Sequence, residues 1–231
     1  MLYAYSNAEK YNGDSERIAV VGDSAGGDLA TAVALKARDL DGPKLIAQAL
    51  LYPLTTFQEL PLPSRYIYDS GYYLLSRHVM YLARDLYTPE EEMWLSPYTS
   101  PLNAESLENL PKTLVITAQY DPLKDEGEEY ANRLQQSGVE VTHLHYEGVM
   151  HGFISFYEVM HLGEHGLRET STFLKEAFAD GQKLNVEHDA TNVELATVVI
   201  SSVDKKSEIY EYLEAYAIAA FLIVKDTFSR S

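Results

Sequence analysis

The chain has 231 residues, 46% of them hydrophobic, with no repeat or low-complexity tract, which suits one globular core and excludes disordered and fibrous classes. A formal net charge of −17 disfavours nucleic acid and anionic membrane surfaces, which attract basic proteins. With no cysteine, disulfides and thiolate chemistry are excluded; the first residues do not read as a signal peptide, the longest apolar stretch, 217–224, is too short to span a bilayer, and the expected compartment is the cytoplasm.

In chain order, residues 17–21 are an apolar run that predicts a strand, and residues 28–38 have the pattern of a helix. Between them stands Gly22-Asp23-Ser24-Ala25-Gly26-Gly27. A serine on a tight strand-to-helix turn is a nucleophile elbow, in which small neighbours, here Gly22, Ala25 and Gly26, let the backbone turn. The helix start aims N–H groups and partial positive charge at the hydroxyl, so Ala25 N–H is the candidate oxyanion donor. Neither a P-loop nor Gly-x-Gly-x-x-Gly is present, and Ala25 with the helical run after it excludes a trypsin-like Gly-Asp-Ser-Gly-Gly.

A second strand is predicted over 45–52, and residues 53–110 are too long for a plain crossover. This insert carries Tyr66, Tyr68, Tyr72, Tyr73, Leu74, Leu75, Met80, Tyr81, Leu82 and Trp94, and the region is expected to form a pocket. A buried strand over 112–119 delivers Asp121 to its carboxyl end. A helix over about 126–136, ended by Gly138, and an alternating strand over 139–146 then deliver His151 to the next rim loop. A strand over 192–201 and an apolar-faced helix over 206–225 close the chain.

A serine nucleophile needs a base, and the base an orienting carboxylate, which makes Ser24, His151 and Asp121 the candidate catalytic set. In an open parallel sheet all three would sit beyond strand carboxyl ends. Asp125 is the other carboxylate nearby and reads as a cap for the helix near Glu126. A different chemistry is offered by His161-Leu-Gly-Glu164-His165, which matches the inverted zinc-protease pattern with Glu164 as base, although Gly163 weakens the helix it needs and no third ligand stands out. His143 and His145 share one strand face and read as strand-face residues.

The segments Gly22-Asp-Ser-Ala-Gly-Gly27, Tyr120-Asp-Pro-Leu-Lys-Asp-Glu-Gly127 and His151-Gly-Phe153 resemble the hormone-sensitive-lipase-like branch of the α/β-hydrolases, a family of serine carboxylesterases, and the resemblance runs from about residue 11 to 178. It implies an α/β-hydrolase fold, a mainly parallel sheet flanked by helices with a helical cap insert at about 55–105. It also implies Ser24 as nucleophile, His151 as general acid/base, Asp121 as orienting acid, small short-acyl ester substrates and no metal or organic cofactor. The family's upstream His-Gly-Gly-Gly oxyanion segment has no counterpart here, since the only His-Gly pairs are His151-Gly152 and His165-Gly166. The expectation is therefore an amino-terminally truncated domain over 1–180, with Ser24 on a broad shallow surface and weak activity alone. A non-catalytic or assembly-dependent fragment is the alternative, and a zinc metallohydrolase a more distant one. Residues 181–231 are expected to be an extension that packs on the sheet or joins copies in a homo-oligomer.

Overall fold

The computed structural model describes residues 1–180 and 197–200. Ile18–Asp23 (β1), Leu45–Leu51 (β2), Lys112–Tyr120 (β3), Val141–Met150 (β4) and Thr197–Ile200 (β5) form one parallel sheet in the order β1-β2-β3-β4-β5. The α-helices among the described residues are Leu2–Asn7 (α1), Ala25–Asp39 (α2), Ser64–Ile67 (α3), Arg77–Tyr87 (α4), Lys124–Gln136 (α5) and His161–Asp180 (α6).

Successive strand residues point to opposite faces, and parallel strands covered on both sides are apolar nearly throughout. Leu50 and Val115 pack with Leu35 of α2 and with Tyr130 and Leu134 of α5. Their neighbours Ala49, Leu51, Leu114 and Ile116 pack on the other face with Phe173 and Ala177 of α6. Gln48, buried in β2, is kept at home by a bond from its Nε2 to Thr113 Oγ1 at 2.9 Å. Helices therefore cover both faces, and the loops at the strand carboxyl ends are left to build a site.

The elements depart from the sequence pattern mainly at their ends. α2 begins at Ala25, directly after Ser24, and α5 begins at Lys124. β4 continues past Tyr146 to Met150, because two extra residues are accommodated opposite β3 between the pairs Ala118–Tyr146 and Tyr120–Met150. Gly148 takes φ +78° there, and its N–H donates to Gln119 Oε1 at 2.8 Å, so a side chain replaces the missing ladder bond. Part of the strand expected over 192–201 is present as β5, paired with β4 at the edge opposite β1. The helix expected over 206–225, and any oligomer contact made by it, lie outside the described residues.

The segment between β2 and β3 is fastened from below. Glu126, fully buried, accepts from Thr55 N–H at 2.7 Å and from Arg65 Nε at 2.6 Å. Ser64, at the start of α3, donates from Oγ to the Pro122 carbonyl at 2.8 Å and from N–H to Asp125 Oδ2 at 2.8 Å. Ser76 Oγ caps α4 by accepting from Val79 N–H at 3.3 Å. Arg84 stacks 4.1 Å over Trp94 and pairs with Glu59 at 3.0 Å.

Candidate active site

Ser24 sits between β1 and α2 at φ +55°, ψ −120°, a region that costs a non-glycine residue about 1–3 kcal/mol and needs surroundings that over-determine it. Those surroundings are visible. Ser24 N–H donates to the Leu51 carbonyl at 2.9 Å, and its own carbonyl accepts from Gly27 N–H at 3.0 Å and Leu54 N–H at 3.1 Å. A Cβ at Gly22 would fall inside the Gly26 carbonyl, and one at Gly27 would lie 2.7 Å from Pro53 Cβ. Gly26, by contrast, has ordinary room for a Cβ, so the tight pair is Gly22 and Gly27, and the sequence reading of Gly26 as a steric necessity is corrected. Ala25 N–H is the first of α2, one of the helix-start donors that have no partner within the helix.

Asp121 is fully buried in the turn between β3 and α5. Its Oδ1 accepts from Leu123 N–H at 2.8 Å, which orients the carboxyl and leaves Oδ2 for His151 Nδ1, also at 2.8 Å. With Asp121 as acceptor, Nδ1–H donates, and His151 Nε2 is left to accept from the Ser24 hydroxyl at 2.9 Å. The structure thus brings Ser24, His151 and Asp121 into one hydrogen-bonded line, one from the carboxyl end of β1, one from β4 and one from β3. His151 is held by Tyr52, whose ring meets the imidazole edge-on at a centroid distance of 5.0 Å and packs also on Phe153. Tyr52 is buried with φ +38°, and burial pushes its hydroxyl up from the usual value. This support was missed in the sequence, where Tyr52 is merely the last residue of a strand.

Half-buried Ser24 borders an apolar cavity of about 320 Å³, so the expected shallow surface is not what is found. The reason is α4, which lies across the site. Leu75, Val79, Met80, Ala83 and Tyr87 line one wall, and Leu54, Phe57 and Leu123 another, with Ala25, Asp28 and Leu29 of α2 opposite. Of the insert residues singled out by sequence, only Leu75 and Met80 line it. Tyr68 and Tyr73 instead pack on Tyr120, Tyr73 stacked at 5.0 Å, and Trp94 holds Arg84. Asp28, Phe57, Val79, Tyr87 and Leu123 were missed, since a helix presents one stripe and sequence alone does not say to which neighbour.

Asp125 does not cap α5. It lies inside the first turn, where its carboxylate takes Ser64 N–H and the Lys124 ammonium, contacts that hold it below the usual range against its partial burial. His161 and His165 both lie on α6, but His165 Nδ1 meets the Tyr146 hydroxyl at 3.0 Å while His161 is solvent-exposed. Among the described residues no three His, Asp or Glu side chains converge as metal ligands. His143 Nε2 and His145 Nδ1 share Thr117 Oγ1, at 2.9 and 3.0 Å. No helix among the described residues is long and apolar enough to cross a membrane.

The profile of a family described by its alpha/beta hydrolase fold matches residues 1–155. An arylesterase of Saccharolobus solfataricus is 40% identical over 156 residues, covering 67% of this chain and 50% of its own. The carboxylesterase NlhH of Mycobacterium tuberculosis is 38% identical over 154 residues, covering 65% and 47%. Among solved structures, a hyperthermophilic esterase from the archaeon Pyrobaculum calidifontis superposes with a TM-score of 0.73 at 39% identity, over 76% of this chain and 57% of that one. The chain spans about half the length of the curated relatives it matches.

Proposed function

Because the chain belongs to the alpha/beta hydrolase fold family, we propose that it is a carboxylic ester hydrolase working through an acyl-enzyme on Ser24. The observation that carries this reading is the unbroken line from Ser24 Oγ through His151 to Asp121, at 2.9 and 2.8 Å. In the proposed cycle Ser24 Oγ attacks the ester carbonyl carbon while its proton passes to His151 Nε2. The negative charge gathers on the carbonyl oxygen, where Ala25 N–H and the positive end of α2 face it. Asp121 holds the imidazole in the required tautomer and stabilises the imidazolium. Collapse breaks the bond to the alcohol oxygen, which takes the proton from His151. Water, deprotonated by the same histidine, then releases the acid and restores Ser24.

The alcohol oxygen must reach His151, which does not line the cavity, so the cavity takes the acyl side. Its volume of about 320 Å³ is at the low end for ligand sites, which fits a short acyl chain. In this reading residues 55–105 act as the cap over that chain, and the soluble small-molecule substrate needs no cofactor, nucleic acid or membrane. The cytoplasm is the proposed compartment.

Hydrolysis of p-nitrophenyl acetate by the parent and by Ser24→Ala, with and without chelator, tests the assignment. The expected result is a chelator-insensitive rate that the substitution lowers by about 10³-fold or more. Equal rates in parent and variant would refute it, and loss with chelator would favour metal chemistry.

A further inference from the structure

One buried carboxyl in the cavity is not used by the cycle above. Asp28, one turn along α2 from Ser24, is only 2% exposed, lines the cavity, and its Oδ1 has no hydrogen-bond partner. A buried polar atom left unpaired costs about 1–3 kcal/mol, so a cavity that is otherwise apolar gains nothing from an aspartate unless a ligand meets it. Resting on the esterase reading, we propose that Asp28 is the specificity-determining residue of the acyl cavity, selecting acyl groups with a hydroxyl on the carbon β to the ester carbonyl.

The reach is suitable. Four helical residues rise about 6 Å, and helix side chains lean back toward the amino terminus, which carries the Asp28 carboxyl toward Ser24. Three bonds from the carbonyl carbon to a β-hydroxyl, followed by a hydrogen bond of about 2.8 Å, cover that distance. The chemistry favours a neutral hydroxyl over a cation. The charged or titratable groups facing Asp28 are Glu126 and Tyr130 from α5 and Tyr87 from α4, and Glu126 is itself paired with the Arg65 guanidinium of α3. Among the described residues no ion pair reaches Asp28. Burial, and secondarily the Glu126 charge, push its carboxyl up to about 8. Near neutral pH it is then an uncharged acid that can both donate and accept, which a hydroxyl matches.

The test uses the full chain and two esters of one shape, p-nitrophenyl 3-hydroxybutyrate and p-nitrophenyl 3-methylbutyrate, in which a methyl replaces the hydroxyl. Ser24 acylation is followed by nitrophenolate release, each rate divided by that ester's hydroxide-catalysed rate. The parent is expected to favour the hydroxy ester about tenfold at pH 7. Asp28→Leu should remove or invert this preference, and Asp28→Asn should retain most of it. Above pH 8 the parent's preference should widen, because an ionised carboxylate still accepts from a hydroxyl but disfavours a methyl beside it; in Asp28→Asn it should stay level. Equal normalised rates in the parent, or a Leu variant that slows both esters alike, would overturn the proposal and leave the esterase reading standing. Ser24 unreactive toward both esters in every variant would instead refute the esterase reading, and this inference with it. Should Asp28→Leu not fold, the pH dependence in parent and Asn variant decides alone.

Discussion

At Ser24 the strain of a positive φ is held by backbone hydrogen bonds at both its N–H and its carbonyl and by two glycines that let neighbouring chain segments touch. The glycines are therefore unequal. Gly22→Ala and Gly27→Ala place a methyl into backbone and into Pro53, and each is expected to cost about 1–3 kcal/mol or prevent folding. Gly26→Ala meets Asp23 Oδ1 at 3.6 Å and should be close to neutral, so denaturation midpoints of the three variants check the distinction. Which glycine matters is not legible in Gly-Asp-Ser-Ala-Gly-Gly itself, because the decisive contact of Gly27 is with Pro53, across a loop from another strand. Ser24, Asp121 and His151 were legible, since their positions follow from strand ends. Asp28 was not, because its burial depends on α4 and α5 closing over it.

Among the elements, β3 and β4 show how a strand can carry buried titratable groups. His143, nearly inaccessible, has its imidazole pushed down to about 4, by burial first and then by His145 and Lys124. The native chain thus holds it neutral while the unfolded chain protonates it near pH 6.5. The stability from the neutral ring is fully present above about pH 6.5 and is lost as pH falls toward 4. At about 1.4 kcal/mol per pH unit, the loss from this group by pH 5 is about 2 kcal/mol. His143→Gln, which can still hydrogen-bond Thr117, should show that much less acid sensitivity in urea midpoints at pH 7 and pH 5. Equal sensitivity would mean that His143 is not the group titrating. The element limits were read less well than the elements. The alternation breaks off after Tyr146 in the sequence because Glu147 and Gly148 belong to a bulge, whose pairing through Gln119 is a tertiary contact.

For the molecule as a whole, the parallel sheet with helices on both faces was legible from the alternation of buried strands and amphipathic helices, and family membership agrees with it. The edge to which the late strand pairs was not, since a short apolar strand fits either edge by pattern alone; it is β4. Nor was the closeness of α4 to Ser24, which follows from the Arg65–Glu126 and Ser64–Asp125 fastenings between residues far apart in sequence. These fastenings link the insert to the first turn of α5, directly after the turn that carries Asp121, so the cavity beside Ser24 and the Ser24–His151–Asp121 line rest on one support.

Activation of Ser24 by His151 can be read by covalent capture with a fluorophosphonate ester, followed by intact mass and peptide mapping. One adduct per chain is predicted, on Ser24, forming at least a hundredfold more slowly in His151→Ala and not at all in Ser24→Ala. An adduct on another residue, or an unchanged rate in His151→Ala, would mean that His151 does not activate Ser24.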